Sequence, residues 1–258
     1  MNTGLVTIPD FKINVRTAIP YQDLLVACAI LSDDEYKVRE LYKSIPTPNV
    51  VLDIGGHIGT FGMLAKSLWP DTMLIAVEPS EDSATLYEMN LRSNGLDDKS
   101  AVIHAAVNYN PSKKVLVRSS RTSGGNVLLD ADSANEYLSE NYRKCDGILG
   151  DDIKSITIED IIKEYDLDVI DFAKFDCEGS EQFIFESMTQ ESADKFRYIV
   201  GEYHYWSNGM KVLEHSKFGD FEYWNKIKRK FKHLNFSYHS TCNGKVGLFK
   251  AWPKDING

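Results

Sequence analysis

Between Val51 and Phe61 the chain reads Val-Leu-Asp-Ile-Gly-Gly-His-Ile-Gly-Thr-Phe, with glycines at 55, 56 and 59 joining an apolar run to a helical one. Glycines there let a ligand approach the backbone, and the helix start beyond them offers N–H groups and a positive dipole end. At the end of the next apolar run Glu78 precedes Pro79. A carboxylate in that place can accept both hydroxyl hydrogens of a ribose, so the pair of features describes nucleoside binding. A dinucleotide site would read GxGxxG to seat a pyrophosphate. This turn reads Gly-Gly-His-Ile-Gly, and Asp53 just before it suits the ammonium and sulfonium charges of S-adenosylmethionine better than a diphosphate.

A second group of reactive residues lies further on. In Lys174-Phe-Asp-Cys-Glu-Gly-Ser-Glu181, strand alternation puts Lys174, Asp176 and Glu178 on one side. Lys174 inside a buried strand needs a carboxylate partner, and Glu181 in the first turn of the next helix is stabilised by the helix dipole. In Gly201-Glu-Tyr-His-Tyr-Trp206, Glu202 and His204 share one side and aromatic residues the other, an arrangement that suits a hydroxylated substrate. Methyl transfer from a sulfonium requires alignment of the acceptor and removal of its proton. Asp176 or His204 is the expected proton acceptor, with Glu202 beside them. Alternatively, Asp176 and Glu202 hold a divalent cation such as magnesium that polarises the hydroxyl; the residue types leave both routes open.

The elements that must position these groups alternate in type. Strands are expected at 50–52, 73–77, 101–107, 169–176 and 197–202, with helices at 60–69, after Ser80 to Asn94-Gly95, at 158–165 and from Ser180. Pro70 stops the helix begun at Thr60. Such alternation predicts an α/β, doubly wound, mainly parallel sheet with both faces covered. After a helix near 223–231, the runs 234–240 and 246–252 around Asn243-Gly244 predict a C-terminal antiparallel hairpin. The charge run Lys226–Lys230 reads as the solvated face of that helix, with Ile227 and Phe231 turned inward. Residues 1–48 form an N-terminal helical extension, with Ser32 capping a stretch that reaches Leu41, ahead of a catalytic domain over 49–258. The stretch from Ser119 to Lys154 is the least regular; short strands are expected at 113–118 and 126–129, and its polar loops are expected to shape the acceptor pocket.

Composition narrows the function classes. Apolar residues make up 43% of the chain and charged residues 26%, the balance of an ordinary folded domain. Net charge of −9 disfavours general nucleic-acid or anionic-lipid binding. Cys28, Cys145, Cys177 and Cys242 show no CxxC or metal-finger spacing, which fits a reducing cytoplasmic location. The apolar run Leu24–Leu31 is too short to cross a bilayer, so no membrane or export role is expected.

In four stretches the chain resembles the FkbM-type family of S-adenosylmethionine-dependent methyltransferases, over about residues 49–205. These are the turn at 51–59; Ala-Val-Glu-Pro at 76–79; the Leu86, Asn90, Asn94 spacing with Ala-Ala-Val at 105–107; and Lys-Phe-Asp-Cys-Glu-Gly-Ser-Glu at 174–181. The resemblance implies a class I Rossmann-like fold, with Asp53, Gly55, His57 and Gly59 around the methionine part of the cofactor, Glu78 at the ribose and Ala106 at the adenine. This chain has Gly56 and His57 where the family commonly carries a small residue and then asparagine. The resemblance also implies O-methylation of a sugar, glycan or secondary metabolite, hence a small-molecule or glycan acceptor. The same sequence features admit an NAD-dependent oxidoreductase or a non-catalytic nucleoside-binding module.

Overall fold

The structure, a computed structural model, describes residues 1–18, 20–107, 114–119, 127–130, 145–204, 220–240 and 246–255. Tyr205, Trp206, the Asn243-Gly244 turn and most of the polar loops between Ser119 and Lys154 lie outside them.

The chain opens with a hairpin of β1 (Thr3–Ile8) and β2 (Phe11–Arg16), paired antiparallel on either side of Pro9-Asp10. Phe11, Ile13 and Val15 are buried and alternate with Lys12 and Asn14, so β2 has one inward face. Helices α1 (Pro20–Leu31) and α2 (Val38–Tyr42) follow. The extension is therefore not purely helical, and Ser32 caps no helix. Asp34 takes the capping role instead, its Oδ1 accepting from Val38 N (2.8 Å) and its Oδ2 from Arg39 N (3.1 Å). A carboxylate at a helix start accepts N–H groups and also meets the positive end of the dipole, a double advantage that the Ser32 hydroxyl lacks.

The alternating part begins with β3 (Val50–Ile54), α3 (Thr60–Leu68), β4 (Met73–Glu78), α4 (Glu81–Ser93) and β5 (Ser100–His104). Ser80 caps α4, and Gly95 at φ 64° follows its end. The run expected as one strand over 101–107 breaks at Ala105: β5 stays in the main sheet, and β6 (Ala106–Val107) turns away. Next come β7 (Lys114–Ser119), β8 (Val127–Asp130) and β9 (Cys145–Ile153), a separate antiparallel sheet in the order β8-β7-β9, and β10 (Ser155–Ile156), parallel to β6. The remaining elements are α5 (Ile158–Glu164), β11 (Ile170–Phe175), α6 (Glu181–Ser187), α7 (Gln190–Asp194), β12 (Phe196–His204), α8 (Asp220–Lys230), β13 (Leu234–Ser240) and β14 (Val246–Pro253).

The main sheet has seven strands in the order β13-β14-β12-β11-β3-β4-β5. From β12 to β5 every pairing is parallel, and β14 inserts antiparallel between β12 and β13. Alternation splits its side chains between two cores. Leu52, Ile75 and Val77 face Ile161 of α5, Phe185 of α6 and Phe231 beyond α8; Val51, Leu74 and Ala76 face Ala27 of α1, Met63 of α3 and Leu91 of α4. A parallel sheet buried on both faces is the expected doubly wound α/β fold. No helix among the described residues is long and apolar enough to cross a membrane.

The hairpin is fixed to this body by two amides. Along the free edge of β2, Asn94 accepts from Lys12 N (2.9 Å) and donates to Lys12 O (2.7 Å), while Asn90 accepts from Asn14 N (2.6 Å) and donates to Asn14 O (3.3 Å). Residues four apart on α4 thus satisfy residues two apart on a strand edge that would otherwise be exposed. Asn90 Nδ2 also donates to Ile58 O (2.8 Å) in the glycine turn. Asn90→Ala should leave those buried groups unpaired and cost about 2–3 kcal/mol of stability by urea denaturation; a loss below about 0.5 kcal/mol would mean that the hairpin is held elsewhere.

Candidate active site

At the carboxyl ends of β3 and β11, adjacent strands put Asp53 opposite Lys174. Both are fully buried, and Lys174 Nζ lies 3.3 Å from Asp53 Oδ1, 3.8 Å from Asp176 Oδ2 and 2.5 Å from Gly55 O, to which it donates. Burial opposes the charge on Lys174, but Asp53 and Asp176 more than offset it and hold the ammonium well above its usual range. The second Asp53 oxygen accepts from Tyr87 Oη at 2.8 Å. The Tyr87 ring fills the space under the turn: a Cβ on Gly59 (φ 91°) would stand 2.1 Å from it, and one on Gly55 (φ 77°) only 1.8 Å from Asp176 O. Those glycines are required by packing within the fold as well as by any ligand. Gly55 N and Gly56 N both donate to Val77 O, so the first amides of the turn are used internally.

Beyond the turn is a cavity of about 320 Å³. Gly55, His57, Glu78 and Ala106 line it on one side, Asp176, Glu178 and Glu202 on another, and Leu25, Ala29, Ile30, Glu35 and Tyr36 of the N-terminal extension form a further wall. Glu78 Oε2 accepts from His57 N (2.9 Å) and Oε1 from Ser80 N (2.8 Å), which aims the carboxyl group while leaving each oxygen further lone-pair capacity. Burial raises Glu78 to about 7 against the pull of those donors. His57, in the left-handed region at φ 48°, has its Nε2 2.8 Å from Arg16 Nη2. A guanidinium only donates, so Nε2 accepts and the proton belongs on Nδ1. Burial and Arg16 lower His57 to about 4, leaving it neutral. Arg16 itself forms a buried double pair with Asp23, Nε to Oδ2 at 3.0 Å and Nη2 to Oδ1 at 2.5 Å.

The opposite side is acidic. His204 Nδ1 lies 3.2 Å from Glu181 Oε1, and its Nε2 lies 3.5 Å from Glu202 Oε2 and 3.6 Å from Glu178 Oε2. Burial disfavours an imidazolium, but these three carboxylates prevail and push His204 well above its usual range. His204 therefore carries a proton at neutral pH and balances the cluster; it has no free lone pair with which to accept another. Glu181, fully buried, also accepts from Cys177 N (2.6 Å) and Gly179 N (3.1 Å), so it holds the loop after β11 rather than only meeting a helix dipole. Asp176 Oδ2 accepts from Tyr36 Oη at 2.9 Å. Ligand-capable atoms of Asp176, Glu181 and His204 lie within 4.8 Å of one another; a cation among them would have to displace the His204 proton.

Of the residues singled out in the sequence, Gly55, His57, Glu78, Ala106, Asp176 and Glu202 share the cavity wall. Asp53, Gly59 and His204 sit behind it, against Lys174, Tyr87 and Glu181 respectively. Arg16, Asp23, Glu35 and Tyr36 were not signalled by any local motif, since their partners are distant in sequence. Burial raises Glu35 and Glu78 to about 7 and Glu178 to about 8. Groups so raised bind protons in the fold that the unfolded chain has released, so their stabilisation is full below about 4.5 and is lost as pH climbs through 7 and 8. His57 acts oppositely, but only between about 4 and 6.5. The urea midpoint should therefore fall from about pH 6.5 to about pH 8.5; a flat or rising profile would show these carboxyls already ionised.

The Methyltransferase FkbM domain family matches this chain over residues 53–238. Methyltransferase sdnD of Sordaria araneosa is 22% identical over 190 residues, which cover 67% of this chain and 71% of that protein. Among solved structures, an O-methyltransferase from Bacillus cereus in complex with SAH aligns with TM-score 0.44 and 18% identity over 93% of this chain and 92% of its own. A chain from Nostoc punctiforme aligns with TM-score 0.46 and 9% identity over 90% of this chain, which spans 59% of the Nostoc one. The chain belongs to the FkbM methyltransferase family and is an S-adenosylmethionine-dependent methyltransferase.

Proposed function

We propose that this chain methylates a hydroxyl group of a sugar, glycan or secondary metabolite. The reading is carried by one observation: a single cavity has the aimed carboxyl of Glu78 on one side and the acidic group of Asp176, Glu178 and Glu202 on the other.

The donor set fits the cofactor. Glu78 would take the ribose hydroxyls, and the Pro79, Ala106, Val107 and Leu116 wall would flank the adenine. The negative side of the cavity is compatible with a molecule bearing sulfonium and ammonium charges. S-adenosylmethionine supplies a methyl group already activated by positive sulfur. What remains for the chain is to exclude water, orient the acceptor and dispose of its proton. Carboxylate oxygens lining the acceptor side suit hydroxyl donors, which is what a polyol or phenol presents.

Tritiated methyl transfer to a panel of glycosides, polyols, phenols and amines tests the acceptor class, with separate arms containing magnesium or EDTA. Transfer to hydroxyl compounds alone is expected, and transfer confined to amines would overturn the reading. Because His204 carries its own proton within the acidic cluster, EDTA is expected to leave transfer unchanged; loss reversed by magnesium would assign that place to a cation instead. Glu78→Ala should weaken binding of S-adenosylhomocysteine by about tenfold or more in calorimetry, the equivalent of one charged hydrogen-bond pair. His204→Ala should bind it normally and turn over more slowly. Equal losses of affinity in both variants would invalidate the division of roles.

A further inference from the structure

We propose that Glu35, contributed by the N-terminal extension, accepts the proton of the acceptor hydroxyl. The proposal rests on the hydroxyl reading above and names the group that completes it.

The carboxyl groups that line or adjoin the cavity differ in how they are engaged. Glu78 is engaged by two backbone N–H groups near the glycine turn, and Glu181 by two more and by His204. Asp176 accepts from Tyr36 Oη and lies 3.8 Å from the Lys174 ammonium, while Glu178 and Glu202 face the His204 imidazolium at 3.6 and 3.5 Å. A carboxylate already bonded to donors or cations is oriented by them and has fewer lone pairs free to receive the proton of an acceptor. Glu35 alone among these makes no side-chain hydrogen bond or ion pair within the described residues, yet it is half-buried in the cavity wall. Its backbone is held: Glu35 N donates to Ala29 O (3.0 Å), and the neighbouring Tyr36 is buried and bonded to Asp176. The charged groups facing it are Glu202 of β12, Asp176 after β11, Lys174 of β11 and Asp33 of its own loop. Burial first, then Glu202 and Asp176, raises it to about 7, with Lys174 opposing. That value suits a base working near neutral pH.

In the step, the acceptor oxygen forms its bond to the methyl carbon as the methyl–sulfur bond breaks and leaves its electron pair on sulfur. The acceptor proton passes to a Glu35 carboxylate oxygen, and bulk water removes it afterwards. An acceptor already ionised in solution has no need of this transfer.

Glu35→Gln preserves shape and removes the base. Turnover is measured on methyl α-glucoside, whose hydroxyls are un-ionised, and on 2,4-dinitrophenol, which is ionised at neutral pH. The variant should lose about a hundredfold on the glucoside and stay within about threefold on the phenol, with S-adenosylhomocysteine affinity unchanged in calorimetry. In the cofactor-free chain labelled with δ-¹³C glutamate, the resonance missing from the variant should titrate near 7. Equal effects on both acceptors, no effect on either, or a titration at the ordinary glutamate value would overturn the assignment. If the parent chain transfers to neither probe while still binding S-adenosylhomocysteine, the hydroxyl reading itself falls and the Glu35 role falls with it.

Discussion

The buried ammonium of Lys174 is the point on which the rest of the site depends. It lies where β3 and β11 end side by side, and it gathers Asp53, Asp176 and the carbonyl of Gly55 around one positive charge. Two carboxylates and a carbonyl brought this close without a cation would repel one another, and a lysine this deep without them would lose its proton. Lys174 thus ties the glycine turn to the loop after β11 at the point where the pairing of β3 with β11 brings the two together. Tyr87 extends the arrangement to α4 through Asp53 and sets the ring against which the glycines pack.

Around that centre the cavity has two electrostatic characters. Near the turn, neutral His57, the Arg16–Asp23 pair and the carboxyl of Glu78, which accepts from two backbone N–H groups, make a quiet environment held by hydrogen bonds. Across the cavity, Glu178, Glu181 and Glu202 crowd one imidazolium. The first side suits recognition of a nucleoside by directed bonds. The second keeps a reserve of negative charge next to the position where a positively charged donor would be held, and its His204 proton keeps that reserve from driving the loop apart.

Much of this was legible from local spacing. The turn at 51–59 and Glu78 at the end of β4 are each defined within a few residues, and the alternation of strands and helices located the five parallel strands, the capping of α4 by Ser80 and the antiparallel pair β13–β14. What local patterns missed has a common physical origin. Asp53 was expected to face the cofactor, but pairing with β11 sets it against Lys174, a neighbour set by register rather than by sequence proximity. His204 was expected, with Asp176, as a candidate proton acceptor, and the carboxylates that converge on it from three segments push it well above its usual range. The Phe11-Lys-Ile-Asn-Val15 alternation has the period of a strand although the extension was expected to be helical, whereas β9, reading Cys-Asp-Gly-Ile-Leu-Gly-Asp-Asp-Ile, has no alternation to read. Tyr36 meets Asp176 across 140 positions of chain, beyond the reach of any motif.

The wall supplied by α1 and the loop behind it has a bearing on how relatives should be compared. The family match begins at residue 53, whereas Arg16, Asp23, Glu35 and Tyr36 all precede it. Two proteins aligned only over the shared segment could agree at every turn and strand end and still enclose differently shaped chambers. Trimming such a protein to its matched boundaries would unroof the chamber and strip His57 of its guanidinium neighbour. Divergence in what these enzymes accept is thus free to accumulate in leading segments that domain-level alignments discard.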